Sequence, residues 1–304
     1  STLLNLMKVT SINKEALITI LSIVIAILIA YIVAIAGNQG SIRILDFPMF
    51  GLCFIIIFAI QWVVFIPSYI FKTELFFDIT GSLTYLSTVI IILAYTKTTE
   101  LRSLLIAGCI VIWTIRLGMF LFNRINKAGS DGRFDNIKTN FLKLLQAWTL
   151  QGLWVAITIG AGLAALTSVQ YKPYSVIDLT GLIIFLTGFS MEIISDQQKK
   201  YFNSKNNSSF ITTGLWKYSR HPNYLGEIIL WFGIAIMSAT NMSGWQYITL
   251  ISPIFVSLLL IKISGIPMVE SRSDIKWGTV EEYKIYKKTT PVLIPNLFKL
   301  FKRN

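Results

Sequence analysis

The chain has 304 residues, 54% of them hydrophobic and 14% charged, with a mean hydropathy of +0.65. That composition excludes a soluble enzyme and calls for several apolar runs of roughly 20 residues, each able to cross ~30 Å of hydrocarbon. Lys and Arg number 27 against 15 Asp and Glu, a net charge of +12. In so apolar a chain this excess reads as topology and lipid headgroups, and nucleic acid is not expected as a partner.

The first apolar run, Ala16 to Ala36, is longer than the apolar core of a signal peptide. It ends in Gly37-Asn38-Gln39-Gly40, a turn sequence and not a small-residue cleavage site, so a membrane span is expected. Continuing along the chain, spans are expected at about 16–36, 48–71, 79–96, 102–123, 143–169, 175–195, 224–239 and 246–263. The seventh is the shortest. Basic residues give an independent check. The segment after span four holds Arg124, Lys127, Arg133, Lys138 and Lys143, the one after span six holds Lys199, Lys200, Lys205, Lys217 and Arg220, and the tail is lysine-rich. The alternate loops carry only Arg43, Lys97, Arg102 and Lys172. Eight spans with both termini cytoplasmic satisfy the positive-inside rule, whereas seven would put the basic tail and a basic loop on opposite sides. The expected fold is therefore an all-α polytopic transmembrane helix bundle, one membrane domain over 1–304 with no soluble domain. The tail from Glu281 interleaves apolar residues such as Tyr283, Leu297, Phe298, Leu300 and Phe301 with lysines, as in a segment lying on an anionic membrane face.

Cys53 and Cys109 both fall in apolar runs, and His221 is the one histidine. These are too few for a disulfide framework or a thiolate or multi-histidine metal centre, so no metal is expected.

Ionisable groups within spans cost ~2.5–3.5 kcal/mol each on insertion scales and so mark candidate sites. Arg116 is the deepest, in Ile112-Trp113-Thr114-Ile115-Arg116-Leu117-Gly118; it needs either a carboxylate on a neighbouring helix or an anionic ligand. Asp78 opens span three, Glu192 and Asp196 close span six, and Glu227 lies one turn into span seven. In Thr73-Glu74-Leu75-Phe76-Phe77-Asp78-Ile79-Thr80-Gly81-Ser82-Leu83-Thr84-Tyr85, positions 78, 82 and 85 share one helical face. A neutral acid on that face could donate a hydrogen bond to a carbonyl oxygen as charge develops on it. The plainer alternative is helix capping by Asp78 with hydroxyls bonding back within the helix.

The strongest local signal is Gly214-Leu215-Trp216-Lys217-Tyr218-Ser219-Arg220-His221-Pro222-Asn223-Tyr224-Leu225-Gly226-Glu227. Pro222 suits a first helical turn, which puts Arg220 and His221 at a helix N-terminus that favours an anion such as phosphate. Asn223, Tyr224 and Glu227 then occupy the first turns.

Together with Gln61-Trp62 and Ser264-Gly265-Ile266-Pro267-Met268-Val269-Glu270, these segments resemble the bacterial branch of the steroid 5-alpha-reductase-like integral membrane family. The resemblance implies an NADPH-dependent reductase whose helices wrap the cofactor from the cytoplasmic side of a bacterial inner membrane. A lipophilic enone, steroid-like or isoprenoid, would enter from the bilayer and take a hydride at its β carbon while a carboxyl and a tyrosine hold the carbonyl. Residues of about 100–295 would form the cofactor half, and spans 16–96 part of the substrate cavity. Residue by residue, the resemblance implies cofactor roles for Arg116, Asp196, Lys200, Arg220, His221, Asn223, Tyr224 and Glu227, with Glu270 and Arg272 standing in for a histidine-rich stretch. It gives the acid and phenol roles to Asp78, with Glu74 behind it, and to Tyr85. No obligate protein partner is implied. The Arg-His-Pro followed by Tyr also occurs in membrane methyltransferases of the isoprenylcysteine carboxyl and phospholipid type, which use S-adenosylmethionine. A lipid or sterol binder that has kept the fold without the chemistry is the third reading.

Overall fold

The computed structural model describes residues 2–128, 132–205 and 209–295, without the side chains of 2–13, 122–128 and 133. The side chains of Arg124, Lys127 and Arg133, and the tail residues Leu297, Phe298, Leu300 and Phe301, lie outside this description.

All eight expected spans are helical. They are α1 (Thr2–Asn38), α2 (Met49–Ile70), α3 (Phe77–Thr96), α4 (Leu101–Ala128), α5 (Phe141–Leu166), α6 (Val176–Lys205), α7 (Pro222–Ala239), and a composite of a 3₁₀ turn (Gly244–Leu250), α8 (Ile251–Leu258) and a π turn (Leu259–Ile263). Two further helices follow, α9 (Ile266–Trp277) and α10 (Glu281–Thr289). Among the described residues, seven stretches are long and apolar enough to cross a membrane, the last being Gly244–Trp277, and the chain is a multi-pass integral membrane protein. The expected span missing from the seven is α7, whose first turns hold Asn223, Tyr224 and Glu227 in place of apolar residues. A two-residue hairpin joins β1 (Arg43–Ile44) to β2 (Phe47–Pro48), with Leu45 and Asp46 both at positive φ, the type I′ pattern that matches strand twist.

The chain forms two compact units, one of residues 1–174 with 238–251, the other of 175–237 with 252–304. In the first, α5 is the hub: it packs against α1, α2, α3 and α4, and it is buried around its whole circumference from Val155 to Leu166. A helix apolar on every face is what such a central position requires. The outward faces of α1 and α2 expose Leu17, Leu21, Leu28, Ile55, Val63 and Ile66, as expected of surfaces that meet lipid. Phe77, Phe134 and Trp148 pack edge to face beneath the start of α3, with centroids 4.8 and 5.1 Å apart.

One charged group of this unit is buried where a loop position was expected. Arg102, 1% exposed, donates to the carbonyls of Lys172 and Pro173 at 2.7 and 2.8 Å and to Asn241 Oδ1, and it pairs with Glu100 at 3.3 Å. Asn241 in turn donates to Glu100 Oε1 and, through its carbonyl, accepts from Ser168. Three connections far apart in sequence thus meet on one guanidinium, whose five donors suit such a junction.

In the second unit, α6 and α7 touch through paired glycines. A Cβ on Gly188 would lie 2.5 Å from the Gly226 carbonyl oxygen, and one on Gly233 would lie 2.6 Å from that of Gly181. The pairs are seven residues apart on each helix, so the backbones close on one another along two turns, the arrangement small residues permit within membranes. Gly188→Leu is expected to overpack this contact by at least ~1–3 kcal/mol. The check is thermal unfolding of the detergent-solubilised protein; a melting temperature equal to that of wild type would overturn the close approach.

Candidate functional site

In the first unit, the entrance of α3 carries the carboxylates singled out above. The helix begins at Phe77 with Phe76 as its flanking residue, so Asp78 sits inside the first turn. Gln151 of α5 donates to the Phe77 carbonyl at 2.8 Å and anchors that turn. Glu74 is buried and pairs with Lys138 at 3.3 Å. The hydrogen bonds that Lys138 donates to Glu74 and to a second carboxylate, Asp135, raise its pKa. Of the plainer alternative, the hydroxyl part is seen, since Ser82, Thr84, Ser87 and Thr88 all bond back to carbonyls one turn earlier, whereas the cap position is Phe76 and not Asp78. Tyr85 is 3% exposed and packs edge-on against Trp113 of α4, with centroids 5.3 Å apart. Arg116 is half-buried on α4. Between α3 and α4 lies an open groove of about 300 Å³, lined by Ile79, Leu83, Leu86, Ile115 and Met119 with the hydroxyls of Ser82 and Thr114. Its apolar walls and few polar groups suit a lipophilic ligand, at the small end of known ligand sites.

The second unit gathers most of the remaining candidates around the start of α7. Pro222 is its first residue, as expected. Ahead of it, Ser219 Oγ accepts from the His221 amide at 3.2 Å, and the Arg220 amide donates to the Pro291 carbonyl at 2.9 Å, so the tail fixes the approach to the helix. Glu270 of α9 is the hub. Its Oε1 lies 3.0 Å from His221 Nε2 and 3.4 Å from Arg220 Nη1, and its Oε2 lies 3.3 Å from Lys287 of α10. Lys287 also grips both oxygens of Asp274, at 2.6 and 2.7 Å. Burial lowers the His221 pKa more than its bond to Glu270 raises it, so the imidazole is neutral near pH 7 and its Nε2 tautomer donates to the carboxylate. The ring stacks on Tyr224 with centroids 5.6 Å apart. Asn223 donates to Asp196 Oδ1 at 3.2 Å, which joins α6 to α7.

Some donors and acceptors in this cluster remain unspent. Arg220 Nε and Nη1 and Asn223 Oδ1 are shielded from solvent and make no hydrogen bond among the described residues. Buried polar atoms in that state call for a ligand or water. Lys200 and Arg272, by contrast, are exposed. Three participants were not foreseen: Lys287, brought in by α10, Trp216, and Lys199, which lies over the Trp216 ring with its ammonium 4.8 Å from the centroid. Helical periodicity on α6 could have found Lys199, since it falls seven residues after the buried Glu192. Among the described residues there is no group of His, Cys, Asp and Glu able to hold a metal ion.

A family model described as a protein of unknown function, DUF1295, matches residues 62–290. The chain belongs to the DUF1295 family. The matched region holds the α3 entrance, the Arg220–Glu227 segment and Glu270. Steroid 5-alpha-reductase DET2 of Arabidopsis thaliana is 25% identical over 120 residues, 39% of this chain and 41% of that protein. The resemblance of this DUF1295 protein to the steroid 5-alpha-reductase-like membrane family therefore holds, over less than half the length of that relative. No solved structure matches.

Proposed function

We propose that this DUF1295 protein is an NADPH-dependent membrane reductase acting on the carbon-carbon double bond of a lipophilic enone, steroid-like or isoprenoid, drawn from the bilayer. The observation that carries the reading is the cluster at the start of α7, where Nε and Nη1 of Arg220, ion-paired with Glu270, and the amide oxygen of Asn223 make no hydrogen bond among the described residues. These groups fit a phosphate-bearing nucleotide: Arg220 offers forked, permanently charged donors, and Asn223 offers an acceptor to an amide or hydroxyl. Asp196, Tyr224 and Glu227 complete the binding face, with His221 held neutral. When bound, the nucleotide supplies a hydride. Asp78 and Tyr85 hold the carbonyl oxygen and stabilise the charge that develops there, a role that needs preorganised donors. Glu270, already shared among Arg220, His221 and Lys287, orients that cluster rather than contacting ligand. The cluster faces the cytoplasm of a bacterial inner membrane in this reading, and both termini lie on that side, in keeping with the basic loops. The similarity to a plant steroid 5-alpha-reductase supports the reaction class.

The test is mass spectrometry of nucleotide retained by the detergent-purified protein, with titrations of NADPH and S-adenosylmethionine. Retained or titratable NADPH, lost on Asn223→Ala, supports the reductase. S-adenosylmethionine binding in its place would assign the protein to the methyltransferases, and retention of lipid with neither cofactor would assign it to the lipid binders.

A further inference from the structure

In the first unit, the groove between α3 and α4 has a polar floor that the proposed carbonyl site does not use. Its α3 wall runs two turns, about 10 Å, from Ile79 to Leu86. Leu83, Ile115 and Met119 at its rims are about half exposed, on an outward face that in a multi-pass protein meets lipid. Asp78, Tyr85 and Arg116 do not line it, and Tyr85 instead faces Trp113. On the floor, Thr114 is 2% exposed, and its hydroxyl is shielded from solvent with no hydrogen-bond partner among the described residues. Hydroxyls in helices ordinarily bond back to the preceding turn, as those of Thr84, Ser87 and Thr88 do at 2.6–2.7 Å. Ser82 does so only at 3.4 Å, and Gly118 leaves room beside it, since a Cβ there would lie 3.2 Å from the Ser82 hydroxyl. Two hydroxyl hydrogens, one unspent and one loosely held, thus line a slot that opens on hydrocarbon. Lipid tails offer them no acceptor, whereas a carbonyl oxygen, with two lone pairs, accepts both.

We propose that this groove is a lipid site, in which an acyl chain of a bilayer glycerolipid lies along α3 and α4 and its ester carbonyl accepts from Thr114 and Ser82. The surrounding bilayer supplies such a lipid, and its chain suits an apolar slot two turns long. Its ester brings an acceptor and no donor, which complements the two hydroxyls on the floor. The site is independent of the reductase reading, in which neither Thr114 nor Ser82 has a role.

The experiment uses the full chain, delipidated in detergent, with two probes that share chains and headgroup: dioleoyl phosphatidylcholine and its diether analogue, which lacks the ester carbonyls. Titration followed by native mass spectrometry reads the affinity for each. The proposal expects wild type to favour the ester lipid by roughly threefold to tenfold, the worth of a neutral hydrogen bond. Thr114→Val should lose that preference and Thr114→Ser should keep it. Ile115→Trp, which fills the groove from its exposed rim, should lower retention of both lipids, and Ser87→Ala, on α3 outside the groove, should match wild type. Circular dichroism of each lipid-free variant reports folding, and Ile115→Trp decides the matter if Thr114→Val does not fold. Equal affinity of wild type for the two lipids, or an ester preference that survives in folded Thr114→Val or is lost equally on Ser87→Ala, would overturn the proposal. Retention of neither lipid, with binding of the enone progesterone that depends on Thr114, would also overturn it and give the groove to the substrate.

Discussion

Replacing Arg102 by methionine is expected to destabilise the first unit by about 3–5 kcal/mol, the range for breaking a buried pair by removing one partner. The side chain is 1% exposed, and its loss strands the Lys172 and Pro173 carbonyls and the carboxylate of Glu100, which itself is 16% exposed. Methionine restores much of the apolar volume and none of the donors, so the effect isolates hydrogen bonding and charge from packing. Arg43 supplies the control: it is exposed in the β-hairpin, and Arg43→Met should change stability by no more than ~0.5 kcal/mol. Thermal unfolding of both variants in the same detergent checks the difference. Equal melting temperatures would mean that the three connections are held together without the guanidinium. Glu100→Gln, which keeps an acceptor for Arg102 and Asn241, should fall between the two.

Arg102 also marks where sequence reasoning stops. Hydropathy located the eight expected spans, though not α9 or α10, because the bilayer forces backbone groups to pair within a span, so length and composition alone decide the element. Nothing local says that a residue at a span's edge will meet Asn241, 139 positions away, and so Arg102 reads as a loop cation when it is a buried junction. The glycine contacts fall between these cases. Gly181 and Gly188, and Gly226 and Gly233, repeat at seven residues on two helices, a visible spacing whose meaning appears only once the helices are seen to meet there.

At the start of α7, the motif was legible because its constraints are local. Pro222 fixes the helix start, and Arg220, His221 and Asn223 follow from it. Of its partners, Glu270 was named only through the resemblance and Lys287 not at all: they arrive from α9 and α10, and their acid-base pairing leaves no periodic trace. The one-residue difference between Lys200 and Lys199 has a simpler origin. A helix turns 100° per residue and so sends Lys200 to solvent and Lys199 over Trp216.

Within the proposed reaction, Asp78→Asn and Tyr85→Phe are each expected to lower enone turnover by ~10²–10⁴-fold, the range for losing a positioned acid or proton donor, while the dissociation constant for NADPH stays within about twofold. The separation follows from the proposed roles, one set of groups acting on the carbonyl and the other on the nucleotide. Asp78 and Tyr85 belong to α3 in the first unit, and the unspent donors that suit a nucleotide belong to the second. Tyr85 keeps its edge-on contact with Trp113 when only the hydroxyl is removed, so Tyr85→Phe should retain the wild-type melting temperature. Single-turnover kinetics with an enone, set beside calorimetric titration of NADPH, distinguishes the outcomes. Loss of nucleotide binding in either variant would make these residues part of the cofactor site and void the assignment. Glu74→Gln then decides which carboxyl is the acid: paired with Lys138 and buried, Glu74 is expected to show its loss first as a lower melting temperature. A turnover deficit in folded Glu74→Gln as deep as that of Asp78→Asn would transfer the role to Glu74.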